Sequence, residues 1–128
     1  MKIEHIAIWV RDLEKAKNFY TTHFELSCGE KYVNEKKLFS SYFLSFDGGA
    51  RIEIMHRPDI IEQAAKAGTF FGLTHFAISV GSRERVDELT EAIRSAGFKV
   101  TGEPRTTGDG YYESVISDPE GNLVEITD

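Results

Sequence analysis

A chain of 128 residues can bury roughly two thirds of its unfolded surface, so it reads as one domain, or two very small ones sharing a core, that folds without disulfides. Its single cysteine, Cys28, excludes an intrachain disulfide and suits a reducing compartment. A net charge of −6 argues against nucleic acid, because phosphate binding needs a cationic footprint.

The opening "MKIEHIAIWVRDLEK" carries charges at Lys2, Glu4, Arg11 and Asp12. Its apolar run is too short for a signal peptide or a membrane span, and the expectation is a cytoplasmic protein. A strand over Glu4–Val10 is followed by a helix capped by Asp12, with Leu13, Ala16, Phe19, Tyr20 and Phe24 along one stripe. Strands are predicted at Leu26–Val33, Phe39–Phe46 and Ala50–His56. Lys36-Lys37 reads as a solvated hairpin tip, and Asp47-Gly48-Gly49 as the turn before the third strand. A connector over 57–72 follows, with a short helical segment around Ile60–Lys66 and an aromatic pair, Phe70-Phe71, that suits a lid or a cover for a partner's edge.

The pattern then repeats. "THFAISV" (Thr74 to Val80) matches "EHIAIWV" (Glu4 to Val10) at His, Ala, Ile and Val, and a self-match of this kind sets the architecture. A second helix is capped by Ser82, striped by Val86, Leu89 and Ile93, and stopped by Gly97. Strands at Phe98–Gly102, Tyr111–Ser117 and Leu123–Thr127 complete it, with "DPEGN" as the last turn. The fold class is therefore α+β, two βαβββ modules (about 3–56 and 73–128) in one domain over 1–128, forming a cupped, mostly antiparallel sheet.

Alternate residues of a strand share a face. His5, Ala7 and Trp9 oppose Ile6, Ile8 and Val10, and His75, Ala77 and Ser79 oppose Phe76, Ile78 and Val80. In the closing strands Glu53 and Glu125 lie opposite flanking isoleucine or valine. Each module thus offers one His from its first strand and one Glu from its last, 48 positions apart in the first and 50 in the second. If a pseudo-twofold axis relates the modules, the four groups converge on one divalent cation. Two imidazoles and two carboxylates suit Zn²⁺, Ni²⁺, Co²⁺, Mn²⁺ or Fe²⁺, with Zn²⁺ and Ni²⁺ first among them. His23 and His56 do not recur. His23 reads as a helix-surface residue and His56 as a pocket-rim residue.

"EHIAIWVRDLEKAKNFY", the second "THFAISV" and "SDPEGNLVEI" together resemble the vicinal-oxygen-chelate superfamily over Ile3 to Thr127. That superfamily includes glyoxalase I, bleomycin- and fosfomycin-resistance proteins, methylmalonyl-CoA epimerase and extradiol dioxygenases. The resemblance places His5, Glu53, His75 and Glu125 on all four metal positions of the glyoxalase I (lactoylglutathione lyase) type. It implies proton transfer by a metal-bound glutamate through an enediolate held by the metal, with Glu125 the base and Glu53 its partner. It also implies a homodimer with the site shared between chains.

Two positions depart from the glutathione-using members. Trp9 stands where an arginine holds a substrate carboxylate, and Arg57 where an asparagine is expected, although a guanidinium can still pair with a carboxylate. Trp9, Phe43, Tyr42, Tyr111 and Tyr112 are candidates to line a substrate cavity, with Arg57 at its edge. Three functions remain open: a glyoxalase I-like lyase, another metalloenzyme (epimerase, thiol transferase or dioxygenase), or a protein that sequesters a small molecule.

Overall fold

Asp12 starts the first helix as its sequence predicts. Its backbone is extended and its carboxylate accepts the Lys15 N–H at 2.9 Å, which satisfies a donor that the first helical turn leaves open. The helix, α1, spans Leu13–His23 and buries Leu13, Ala16, Phe19 and Tyr20. Phe24, expected on the same stripe, falls on the C-terminal cap and is half-buried. The computed structural model describes residues 1–61, 68–69 and 71–128, and the chain divides into two compact units, Met1–Glu62 and Gln63–Asp128.

In the first unit β1 (His5–Trp9) precedes α1, and β2 (Ser27–Cys28), β3 (Tyr32–Asn34), β4 (Phe39–Ser45) and β5 (Arg51–His56) follow it. The strands lie in the order β1-β5-β4-β2, and β3 also pairs with β4. Only β1 and β5 are parallel; the other pairs are antiparallel. The strands that open and close the unit are therefore neighbours.

The predicted strand Leu26–Val33 is broken in two. Cys28 pairs with Leu44 and Tyr32 with Ser41, so four steps on the outer strand match three on β4. One residue too many cannot stay in a ladder, and the strand bulges between Gly29 and Lys31. Lys36 and Lys37 lie exposed in a single 3-10 turn between β3 and β4, as a hairpin tip should. Gly48 and Gly49 turn the chain into β5 with φ of 106° and 84°, which side chains rarely tolerate.

The second unit carries β6 (His75–Ser79), α2 (Arg83–Ser95), β7 (Val100–Thr106), β8 (Tyr112–Ser117) and β9 (Leu123–Thr127). Its order is β6-β9-β8-β7, again with the opening and closing strands parallel. The Ser82 hydroxyl accepts the Arg85 N–H at 3.3 Å, and α2 buries Val86, Leu89, Thr90 and Ile93. At its other end the Phe98 N–H reaches back to the Ile93 carbonyl at 3.1 Å across Gly97, whose φ is 87°.

β7 begins later than the predicted Phe98–Gly102 and runs on to Thr106. Pro104 lies inside β7, where a central strand would exclude it; β7 is an edge strand, and the proline falls at the register shift between Gly102 and Arg105. The turn between β8 and β9 is held by buried Asp118, whose carboxylate accepts the N–H groups of Glu120 and Asn122 at 2.9 and 2.8 Å.

Each unit packs its helix on one sheet face. Ile8, Leu44, Ile52 and Ile54 do this in the first unit, and Ile78, Ile116, Val124 and Ile126 in the second. The opposite faces carry His5 and Glu53, or His75 and Glu125. Most of the predicted helical segment around Ile60–Lys66, and Phe70, lie outside the described residues; Phe71 is exposed. Among the described residues no helix is long and apolar enough to cross a membrane.

Candidate functional site

Register delivers the candidate ligands. Ala7 sits opposite Glu53 in the parallel β1–β5 ladder, and Ala77 sits opposite Glu125 in β6–β9. A methyl group beside each carboxylate leaves the face open, and the histidine one pleat away leans toward it. His5 Nε2 lies 3.9 Å from Glu53 Oε2, and His75 Nε2 lies 3.2 Å from Glu125 Oε2. Both carboxylates are largely covered, with 15% and 18% of their side chains exposed, so they are not the solvated residues that a strand glutamate usually is.

These spacings fit two donors of one ion. With metal–nitrogen and metal–oxygen bonds of about 2.0–2.2 Å, donors at a right angle stand about 3 Å apart, and donors at wider angles approach about 4 Å. Each unit alone supplies two donors. Among the described residues no three His, Cys, Asp or Glu side chains gather as a metal-binding group.

The surroundings of the two pairs differ. His5 Nδ1 donates to Glu4 Oε2 at 2.5 Å, and Glu4 Oε1 accepts from Arg51 Nε at 2.8 Å and from Arg51 Nη2. The His5 hydrogen bond, more than Arg51, holds the Glu4 carboxyl below its ordinary range. Near the second pair, Glu113 is 13% exposed and accepts from Arg105 Nη2 at 3.3 Å. Burial pushes the Glu125 carboxyl above its ordinary value; His75 opposes the rise and Glu113 adds to it. Thr127 shares the Glu125 face, and its Oγ1 is buried with no hydrogen-bond partner among the described residues. Burying a hydroxyl in this way is unfavourable, so the face suits a polar guest.

The profile of the Glyoxalase/Bleomycin resistance protein/Dioxygenase superfamily matches residues 2–126. The chain belongs to this superfamily. A putative lactoylglutathione lyase of Brassica oleracea var. gemmifera is 30% identical over 126 residues, covering 95% of this chain and 42% of that protein. A probable lactoylglutathione lyase of Vibrio cholerae is 28% identical over 129 residues, covering 98% of this chain and 88% of that one. The crystal structure of glyoxalase I from Zea mays aligns with a TM-score of 0.79 at 27% identity, covering 98% of this chain and 44% of that chain. The chain thus spans less than half the length of the plant relatives it matches.

Within this superfamily fold the predicted substrate residues fall into two groups. Phe43 sits opposite Glu53 in register, with the His5 ring edge-on at 5.3 Å and the Arg51 guanidinium carbon 4.0 Å from its centroid. Trp9 is exposed on the His5 face of β1, against Phe39 at 6.1 Å, and the Arg57 guanidinium carbon lies 5.5 Å from its ring. Arg57 Nε donates to Asp59 Oδ1 at 2.5 Å, so one edge of its guanidinium already meets a carboxylate. Tyr111 is exposed in the turn before β8, outside the strands that carry His75 and Glu125.

Tyr42 and Tyr112 do not belong with them. Tyr42 pairs with Ile54, which puts it on the helix face, and its hydroxyl donates to Glu14 Oε1 at 2.8 Å. Tyr112 likewise shares a face with Ile116 and donates to Asp87 Oδ1 of α2 at 2.8 Å. His56 is no rim residue: half-buried, it donates from Nδ1 to the Val10 carbonyl at 3.0 Å and ties β5 to the end of β1. His23 is half-buried against Phe19 at 5.2 Å, more than a helix-surface residue, and burial lowers its pKa.

Sequence reasoning passed over Glu4, Arg51, Arg105 and Glu113. For the first two a signal existed: a glutamate directly before a candidate histidine ligand, and an arginine two before its glutamate partner.

Proposed function

We propose that the chain is a metal-dependent lyase of the glyoxalase I type. Its substrate is the hemithioacetal of an α-oxoaldehyde and a thiol, and its product a 2-hydroxyacyl thioester. The reading is supported above all by the recurrence of one imidazole–carboxylate pair in both units, in the same register and at 3.9 and 3.2 Å. His5, Glu53, His75 and Glu125 would hold one divalent ion. A homodimer would supply the first pair from one chain and the second pair from its partner.

When bound, the ion contributes several kcal/mol as a Lewis acid to charge developing on substrate oxygens. The protein's own part is proton transfer. A carboxylate oxygen takes the proton from the carbon beside the carbonyl and returns it to the neighbouring carbon, a role that adds about 10²–10⁴-fold. Glu125 suits this role because burial raises its proton affinity. Glu53 is its partner, and Phe43 and Trp9 offer flat apolar walls beside the first pair. Arg57 and Tyr111 complete the proposed substrate contacts. The single cysteine suits a reducing, cytoplasmic setting.

The test loads purified protein with Zn²⁺ or Ni²⁺ and follows thioester formation from methylglyoxal with glutathione and with other thiols. Turnover that disappears on chelation and returns with metal is the expected result. Stoichiometric metal binding without turnover on any thiol would transfer the site to a second reading, an epimerase, thiol transferase or dioxygenase built on the same ligands. That reading is favoured by Trp9, which cannot pair with a glutathione carboxylate, and by Asp59, which competes for the Arg57 guanidinium through its Nε. Absence of metal binding would leave a sequestering protein.

A further inference from the structure

We infer that Glu4 is a positioning residue for His5: its carboxylate fixes the imidazole as the Nδ1–H tautomer and so presents the Nε2 lone pair toward Glu53. The inference rests on the metal reading of the site, and it concerns groups on this chain alone.

The geometry places a proton on Nδ1. An ionised carboxylate only accepts, so the 2.5 Å contact between His5 Nδ1 and Glu4 Oε2 requires the proton on Nδ1. A neutral ring then has its lone pair on Nε2. That nitrogen faces Glu53 Oε2 at 3.9 Å, beyond hydrogen-bond range. In that neutral ring two electron-pair donors confront each other with no proton between them, an arrangement that a cation satisfies.

Glu4 is itself held on both sides. Its backbone carbonyl accepts the Arg51 N–H at 3.0 Å, and its free oxygen, Oε1, takes two guanidinium donors of the same residue. Arg51 lies opposite His5 in the parallel ladder and stacks on Phe43 at 4.0 Å, while the His5 ring meets Phe43 edge-on. The carboxylate, guanidinium, phenyl and imidazole thus brace one another, and the histidine has one orientation. Carboxylate–histidine pairs of this kind set both ring direction and ligand basicity.

Among its described residues the second unit lacks the device. Thr74 stands in the place of Glu4 and Leu123 in the place of Arg51, and neither offers a carboxylate or a guanidinium. The two histidines are therefore unequal: among the described residues His5 has a carboxylate on its Nδ1 from its own unit, and His75 does not.

The experiment reads imidazole ¹⁵N shifts in the metal-free protein and Zn²⁺ affinity by chelator competition at fixed pH, in wild type, Glu4→Ala, Glu4→Gln and Thr74→Val. Wild type is expected to show His5 as Nδ1–H. Glu4→Ala should lose that tautomer and bind Zn²⁺ about 10–100-fold more weakly. Glu4→Gln, whose amide oxygen still accepts, should keep the tautomer and fall between the two. Thr74→Val should match wild type in both readouts. An Nε2–H tautomer in wild type, or a folded Glu4→Ala protein with unchanged tautomer and affinity, overturns the inference. Failure of wild type to bind Zn²⁺ would instead overturn the proposed function, and the metal-free spectra would still decide the role of Glu4.

Discussion

The two His–Glu pairs share a register and differ in the charged and polar groups around it. In the first unit the histidine is braced, by Glu4, Arg51 and Phe43. In the second the carboxylate is modified: Glu125 is pushed upward by burial, with Glu113 nearby and, on the same face, a buried Thr127 hydroxyl that has no partner among the described residues. Strand pairing fixes where a donor sits, and neighbours outside the repeat decide what it is good for. The same division appears under the helices. Counting from the caps, Tyr20 and Thr90 are equivalent, and so by register are Tyr42 and Ser114. Aromatic rings fill the first unit where the second buries a hydroxyl pair, with Thr90 Oγ1 and Ser114 Oγ 2.6 Å apart.

If the second carboxylate is the base, Glu125→Gln should lower kcat for hemithioacetal isomerisation by about 10²–10⁴-fold. Glu53→Gln should lower it less. Equal kcat for both variants and wild type would remove proton transfer from either residue, and a larger loss in Glu53→Gln would reverse the assignment.

The scaffold beneath the pairs should respond alike in both units. Ile54 and Ile126 are each fully buried on the strand that carries the glutamate. Replacing either with alanine should cost about 2–5 kcal/mol in urea unfolding. A cost confined to one unit would show that the repeat extends to sequence but not to packing.

The hydroxyl pair allows a finer cut. Thr90→Val conserves shape but leaves the buried Ser114 hydroxyl without its partner, a loss of about 1–3 kcal/mol. An unchanged unfolding midpoint would mean that Ser114 finds another acceptor.

The smallest effect belongs to the first unit. Lys17 above all, then Tyr42 and Lys31, lower the Glu14 carboxyl from 4.5 to about 2. A depressed folded-state pKa stabilises fully above the unfolded value, and that contribution fades as pH falls from about 4.5 toward 2. Half of the Glu14 side chain is exposed, so solvent screening limits the contribution to at most about 1 kcal/mol. Glu14→Gln should therefore narrow the stability gap between pH 7 and pH 3 slightly, and a wider gap would contradict the sign.

Much of this was legible before any coordinates. Helix caps, turn glycines and the two-residue alternation of β1, β5, β6 and β9 are local signals, and they put His5, Glu53, His75 and Glu125 on the open faces. What escaped was non-local. Whether Tyr42 faces the helix or the ligands depends on its partner, Ile54, twelve positions away. The bulge after Cys28 depends on the step count of β4, and the Glu4–Arg51 contact joins residues 47 apart. A proline inside β7 looks like a strand end until the strand is known to lie at an edge.

The parallel pairing of each unit's first and last strands has a final consequence. Imidazole and carboxylate are brought side by side by the ladder itself, so an incoming ion organises no backbone. Unlike small zinc modules that fold only around their metal, this protein should keep its full far-ultraviolet circular dichroism after exhaustive dialysis against chelator. If the pairs hold a metal ion as proposed, its exchange would not require unfolding.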